Sequence, residues 1–527
     1  MRFPFSVLAI CLILVSAIAG CPGNRTVSNG DQAANKGGSG ETNAEDVLTS
    51  AIHQLQPENY SIAAAADKPI NLLNSWRSLV SDAAPAASVE NLPAGWINDD
   101  ETARWKAGNY DARDAIHIRD AMLNHSIAGY LAARSEDELE QVRAVFDFVV
   151  RNTALRGPDE LDLPLGIYEI LLLGQGTAED RAWLIATVLK QIRVDCVVVR
   201  PAGDAGSEAD AWLLGIVLKG QVYLFDPRLG IALPSTEDLS AANGTPATLA
   251  EIVSHPQWLH NLALRADQPY AIDAESLKSV DIFPIVEANY WSDRMKHLES
   301  MLPASEICVL YDPLLDDSGR TGLLSRLQSS GGWKPDQLKP WPYPHQQSVA
   351  ARSPSPAIRQ AFDVAFQTFG LPVPYDVDSS TQSVKLGNPE RKMLRIRTDQ
   401  LLGKFDEATK RYLSIRHLEI EPSPIPELNA LNRMGAENAI YWTAICKFES
   451  QEYSAAVEQL NGYLKRYDRN GRWAFAARAL LADCHAQLGQ FAQAIETLER
   501  TRSDDPYRAA NAIRVKQWKA RKTPDAK

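Results

Sequence analysis

Residues 174–200 run GQGTAEDRAWLIATVLKQIRVDCVVVR. Gly174 and Gly176 bracket a turn, and the charged residues Glu179, Asp180 and Arg181 follow it. Thr177 has the side chain of an N-cap, and Asp180 three positions on completes a variant capping box. Glu179 and Asp180 also suit the positive end of a helix dipole. Ala182, Ile185, Ala186 and Leu189 then recur at helical spacing and predict one buried stripe, before a β-branched run that closes at Val199. Helix initiation alone accounts for every charge in the turn. Turns of this kind can also hold a nucleophile or a phosphate. "GQG", however, lacks both the longer glycine pattern of a dinucleotide site and the lysine of a phosphate loop.

Outward from this stretch the pattern is α+β. The apolar "LPLGIYEILLLG" precedes it, and "AWLLGIVLKGQVYLFDP" follows as two β-rich runs joined at Lys219-Gly220, a hairpin signal. Residues 45–155 are helical in pattern. Leu139, Val142, Val145, Phe146 and Val149 share one face, with Ser135 to Glu138 as an expected capping-box start. His117 lies three residues from both Asp114 and Asp120, but ligands so spaced on one straight helix do not converge on an ion, so a solvated face is expected there. Further on, a helix is expected in "VEANYWSDRMKHLESML" and a strand in "EICVLYDP". Six prolines between 331 and 356 exclude regular helix through "KPWPYPH" and suggest the main domain boundary, or a polyproline ligand.

The order of lead-in, glycine turn, helix, "VDCVVVR", "DAW" and "FDP" resembles the transglutaminase-like domain of the papain-like cysteine-enzyme class, over roughly residues 140–232. In active members of that family a cysteine starts the helix, a histidine precedes Ala-Trp, and an aspartate stands before proline. The chemistry is coherent: a helix N-terminus lowers a thiol pKa, a histidine takes the proton, and a carboxylate orients the imidazole. The resemblance places the cysteine position at Ala178, flanked by Gly176, Asp180 and Ala182. It places the histidine position at Asp210, before Ala211-Trp212, and the third position at Asp226 in Phe225-Asp226-Pro227. The frame is present and two of the three reactive groups are replaced. Thr177 is a poor substitute nucleophile, and no histidine occurs between His125 and His255. The implied protein is a pseudoenzyme with no catalytic residue and no cofactor or metal. The alternative is a hydrolase or acyltransferase with a site rebuilt around Asp210 and Asp226.

Toward the C-terminus, "LLGKFDEATKRYL", "ESQEYSAAVEQLNGYL" and "AQLGQFAQAIETLE" repeat one pattern of turn, aromatic and small residue. Phe405, Tyr453 and Phe491 are the aromatics, Ala408, Ala456 and Ala494 the small residues, and Gly489 a turn position. The pattern resembles the tetratricopeptide repeat over roughly 395–510, with Pro506 where that family ends a unit. Repeat packing would then rest on the three alanines and Gly489. The resemblance implies a concave helical surface for a protein partner. Cys446 and Cys484 hold equivalent repeat positions, which favours a core role.

The chain begins "MRFPFSVLAICLILVSAIAGC": one arginine, a short apolar run, and small residues before Cys21. This resembles a bacterial lipoprotein signal, which implies export, cleavage after Gly20 and acylation (palmitate among the acyl chains) of Cys21. Pro22 in place of an aspartate resembles an outer-membrane sorting signal. A net charge of −12 over 527 residues argues against a nucleic-acid face. No cysteine falls in a C-x-x-C pair. The expected organisation is a signal peptide over 1–20, a flexible tether over 21–44 and a helical N-terminal region over 45–135. A transglutaminase-like domain with a mixed extension follows over 136–330, then a Pro-rich linker over 331–356, helical repeats over 357–515 and a basic polar tail over 516–527. The function implied is that of a membrane-anchored envelope scaffold.

Overall fold

The structure, a computed structural model, describes residues 43–59, 67–80, 92–157, 160–202, 211–238, 245–264, 268–317, 319–377, 384–386, 392–419, 423–467, 471–500 and 502–522. The expected signal peptide, Cys21, most of the tether and Asp210 lie outside the described residues. The protein is mostly helical, with a small antiparallel sheet and a C-terminal helical-repeat region.

Five helices come first: α1 (Ala44–Leu55), α2 (Asp67–Leu79), α3 (Asp99–Ala107), α4 (Ala112–Ala132) and α5 (Glu138–Asn152). The start of α5 differs from the expectation. Its N-cap is Asp137, whose carboxylate accepts the Glu140 N–H, while Ser135 Oγ, two residues earlier, accepts the Asp137 N–H. The α4 face expected to be solvated is instead core. Asp114 is fully buried between Arg104 and Arg294, and His117 packs edge-on against Tyr290 with Nε2 3.0 Å from the Leu310 carbonyl. Burial pulls the His117 pKa down to about 4.

The short strand β1 (Ala154–Leu155) pairs in parallel with β2 (Gln175–Gly176), flanking helix α6 (Ile167–Leu173). Helix α7 (Ala178–Lys190) starts as the sequence predicts: Thr177 Oγ1 accepts the Asp180 N–H and the Asp180 carboxylate accepts the Thr177 N–H. The single buried stripe is exceeded, since every α7 residue but Glu179 is buried. A helix enclosed on all sides needs an apolar circumference, and Trp183, Leu184 and Val188 supply it.

Strands β3 (Asp195–Pro201), β4 (Leu213–Leu218), β5 (Gln221–Asp226), β6 (Ile231–Ala232) and β7 (Val280–Pro284) form one antiparallel sheet in the order β6-β5-β4-β3-β7. Lys219 (φ 49°) and Gly220 (φ 76°) both take left-handed backbone in the β4–β5 hairpin, as its two-residue turn requires. Alternation along the strands divides the core. Cys196, Val198, Leu214, Ile216 and Phe225 face α7, while Val197, Val199, Leu213, Val217 and Leu224 face the other layer. That second layer includes α8 (Leu249–Ser254) and α10 (Leu323–Gly331), with α9 (Asp293–Met301) between them in sequence.

The strand expected in "EICVLYDP" is not one. Residues 307–313 are extended, and side chains replace a partner strand: Gln191 exchanges two hydrogen bonds with Val309, and Glu299 accepts the Leu310 and Tyr311 N–H groups. The proline-rich segment also departs from an open linker. Leu338 bridges Ile282, the Trp341 N–H donates to the Pro284 carbonyl at 2.9 Å, and Trp341 is buried. Proline removes donors but leaves carbonyls and aromatic faces to dock. Nor is helix excluded from "KPWPYPH": α11 (Tyr343–Arg352) begins inside it, with Pro344 in the first turn, where a missing donor costs nothing. Helix α12 (Pro356–Phe366) follows, and then the small hairpin β8 (Tyr375–Val377) and β9 (Val384–Leu386).

The repeats are helix pairs: α13 (Met393–Leu401) with α14 (Phe405–His417), α15 (Pro426–Glu449) with α16 (Tyr453–Tyr467), and α17 (Ala474–Gln487) with α18 (Phe491–Glu499). Ala408, Ala456 and Ala494 are fully buried at the second helix of each pair, and Gly489 turns the chain at φ 73°. Where a polar tail was expected, helix α19 (Arg508–Lys522) carries a buried Trp518 against Ala494 and Leu498. Among the described residues no helix is long and apolar enough to cross a membrane.

Candidate functional site

The start of α7 is the natural place to look for chemistry. Ala178 sits at its first position, nine-tenths buried, with no group capable of nucleophilic attack. Ala211-Trp212, just before β4, is brought to the same place, with two rings between. Trp212 meets Trp341 at 6.0 Å between centroids, Trp341 stacks on Tyr343 at 5.0 Å, and the Tyr343 hydroxyl donates to Asp180 Oδ1 at 2.8 Å. The same hydroxyl lies 3.3 Å from Thr177 Oγ1. Thus the proline-rich segment covers the helix start. Burial pushes the Asp180 carboxyl up to about 6, although the Thr177 N–H and the Tyr343 O–H both stabilise its charged form.

Asp226, at the third position, is buried and fully occupied. Oδ1 accepts the Arg228 and Leu229 N–H groups, and Oδ2 accepts the Tyr270 hydroxyl at 2.7 Å and the Arg228 guanidinium at 3.2 Å. An aspartate accepting its own downstream amides braces a turn. None of its partners is a histidine, and its link to α7 runs through Arg181, which donates to the Pro227 carbonyl at 2.9 Å. Cys196, Cys308, Cys446 and Cys484 are buried and unpaired. Burial pushes the thiols of Cys308, Cys446 and Cys484 up to about 12, away from reactivity.

The glycine turn has a different occupation: it is the seat of the repeats. Arg397 of α13 donates to the carbonyls of Leu171 and Leu172, capping the C-terminus of α6, with its guanidinium 4.6 Å from the centre of the Trp442 ring. Arg472 donates twice to Gln175 Oε1, at 2.8 and 2.6 Å. The Tyr507 hydroxyl accepts the Leu155 N–H at 2.8 Å and Arg181 Nη2 at 3.4 Å. Glu449 of α15, fully buried, takes Arg151. The helices α13 and α15, the turn before α17 and the residue before α19 therefore meet the α+β body, so part of the repeat surface expected to be open to a partner is occupied in cis.

A cavity of about 1190 Å³ lies on another side of the body. The N-terminal helices α3 and α4, the start of α6, Trp183, the segment after β7 and the proline-rich segment through α12 line it. Sequence reasoning missed it because its walls come from six separated stretches.

The helix pairs of the C-terminal region are similar to tetratricopeptide-like helical repeats. The profile of the family described as anaphase-promoting complex, cyclosome, subunit 3 matches residues 429–501, which span α15 to α18. No curated protein and no solved structure matches the chain.

Proposed function

We propose that this protein is a non-enzymatic, protein-binding scaffold, exported and held on the bacterial envelope by acylation at Cys21. In it a transglutaminase-like frame without its thiol supports tetratricopeptide-like repeats. The observation that carries the scaffold reading is the family match over 429–501, which falls on helix pairs with buried Ala456 and Ala494. Because α13 and α15 pack on the body, the partner takes the outward side, formed by α14, α16 and α18, where Leu413 is exposed. Degeneracy of the frame rests on Ala178, on the aromatic cover over it and on the occupied Asp226. No specific observation favours the rebuilt-site enzyme.

The decisive experiment cross-links intact envelopes and compares the wild type with Leu413→Glu and Cys21→Ala. Leu413→Glu is expected to lose a discrete cross-linked species at unchanged abundance. Cys21→Ala is expected to lose labelled fatty acid and membrane retention. Cross-links indifferent to Leu413→Glu place the partner elsewhere, and equal acyl labelling refutes attachment at Cys21. Ala178→Cys adds a direct test of the frame. Its thiol, nine-tenths buried under the aromatic cover, should alkylate slowly in the wild-type background and faster once Tyr343→Ala opens the cover, whereas turnover of amine donors by the unmodified protein would overturn the non-enzymatic reading.

A further inference from the structure

The cavity combines an aromatic lining with one unusual carboxylate. Trp96, Trp183, Trp291 and Trp341 line it together with Phe283 and Phe362. Its volume exceeds the roughly 300–1,000 Å³ of most small-molecule sites. Most acidic side chains in the wall already have cations: Glu101 holds Arg104 and Arg113, Asp120 holds Arg119, and Glu169 holds the same arginine at 3.5 Å. Glu287 differs. It stands in the wall part-buried, its Oε1 accepts the indole N–H of Trp183 at 3.0 Å, and no other described residue donates to it. Lys339, His345, Arg352 and Arg359 lie at the cavity but are exposed, and Arg352 is held by Asp100.

A carboxylate in apolar surroundings without a counter-ion is costly unless something positive meets it. Aromatic faces attract the same kind of charge through their quadrupoles, the more so when water is excluded. An anionic ligand would meet Glu287 uncompensated, while Arg113 and Arg119 are already held by carboxylates. We propose that this cavity binds a small organic cation, an apolar ring system bearing one ammonium group, with Glu287 as its counter-charge and the tryptophans as its walls. In the ligand-free protein burial, against the pull of the Trp183 N–H, pushes the Glu287 carboxyl up to about 7, with Asp120 and Glu101 adding to the rise. An arriving ammonium reverses that shift. The proposal does not depend on the scaffold reading, since the repeats contribute no wall to this cavity.

The test is calorimetric titration of the full-length protein with 1-naphthylmethylammonium and with its neutral isostere 1-naphthylmethanol. The wild type is expected to hold the ammonium at least about tenfold more tightly. Glu287→Gln should bring the ratio close to one and leave the affinity for the alcohol unchanged. Ile116→Trp, at an exposed position in the wall, should weaken both ligands by filling the space they use. Equal affinities in the wild type, a preference that survives Glu287→Gln, absence of saturable binding, or indifference to Ile116→Trp would each overturn the proposal. Unfolding midpoints of both variants identify any loss that comes from misfolding, and the Ile116→Trp arm stands on its own.

Discussion

Arg397 Nη2 donates to the carbonyl of Leu171 at 2.7 Å, across 226 positions of sequence. A helix leaves its last carbonyls without internal partners, and here a residue from the repeats supplies them. Burial, only partly offset by neighbouring Tyr412, pushes the guanidinium pKa below its ordinary value. Arg397→Ala removes these charge-assisted bonds and leaves buried carbonyls bare, at a cost of about 3 kcal/mol. Denaturant titration should show the loss and a broadened or split transition as the repeats come loose from the body.

Gly174 is the point of closest approach in this seat. At φ 65° it takes left-handed backbone, and a Cβ there would lie 3.0 Å from Arg397 Nη2 and 3.2 Å from the Asn152 carbonyl oxygen. Gly489 shares the backbone conformation at φ 73° with nothing within 4 Å. Gly489→Ala should therefore cost only the left-handed penalty, about 1 kcal/mol. Gly174→Ala should cost that plus crowding, about 2–3 kcal/mol. Equal losses in urea melts would contradict the close seat.

Tyr343→Phe keeps the ring on Trp341 and removes the hydroxyl from Asp180. About 1–2 kcal/mol of stability should disappear, because a buried carboxylate loses a donor. The variant should also expose the start of α7, read as faster amide exchange at Ala178 and Glu179 than in the wild type.

Lys190 joins α7 to β3 and to the extended segment 307–313: its Nζ lies 2.7 Å from Asp195 and 2.8 Å from Asp312, and Arg326 reaches both carboxylates. Burial alone would raise the Asp195 carboxyl, but Lys190 and Arg326 overcome it and hold the pKa at about 2. A depressed acid stabilises the fold above its unfolded pKa, near 4, and the contribution drains away as pH falls toward 2. That contribution is about 2 kcal/mol. Lys190→Met should lower stability by about 3 kcal/mol at neutral pH and flatten the acid limb between pH 4 and 2. An unchanged limb would show that Lys190 does not hold Asp195.

What the sequence made legible was local. Thr177 and Asp180 cap a helix three residues apart, Lys219-Gly220 turns a hairpin, and Ala408, Ala456 and Ala494 recur with the repeat. Each signal lies within one element or one period. What escaped was long-range. Nothing near Val280 announces that it starts a strand beside β3, and nothing in "KPWPYPH" announces that Trp341 and Tyr343 cover a helix start. His117 looked solvated because its burial depends on Tyr290 and Leu310, far along the chain. Glu287 escaped for the same reason: its partner Trp183 and its cavity are assembled only in three dimensions.

Leu155 and Tyr507, joined through one hydrogen bond, stand 352 positions apart. A ribosome adding about 5–20 residues per second needs on the order of half a minute to bridge that interval. During it the newborn body holds the glycine turn and the end of α6 with no lid on them. A chain truncated just before Tyr507 would leave this clasp undone. The seat thus depends on residues made long after it, and on whatever shelters it until they arrive.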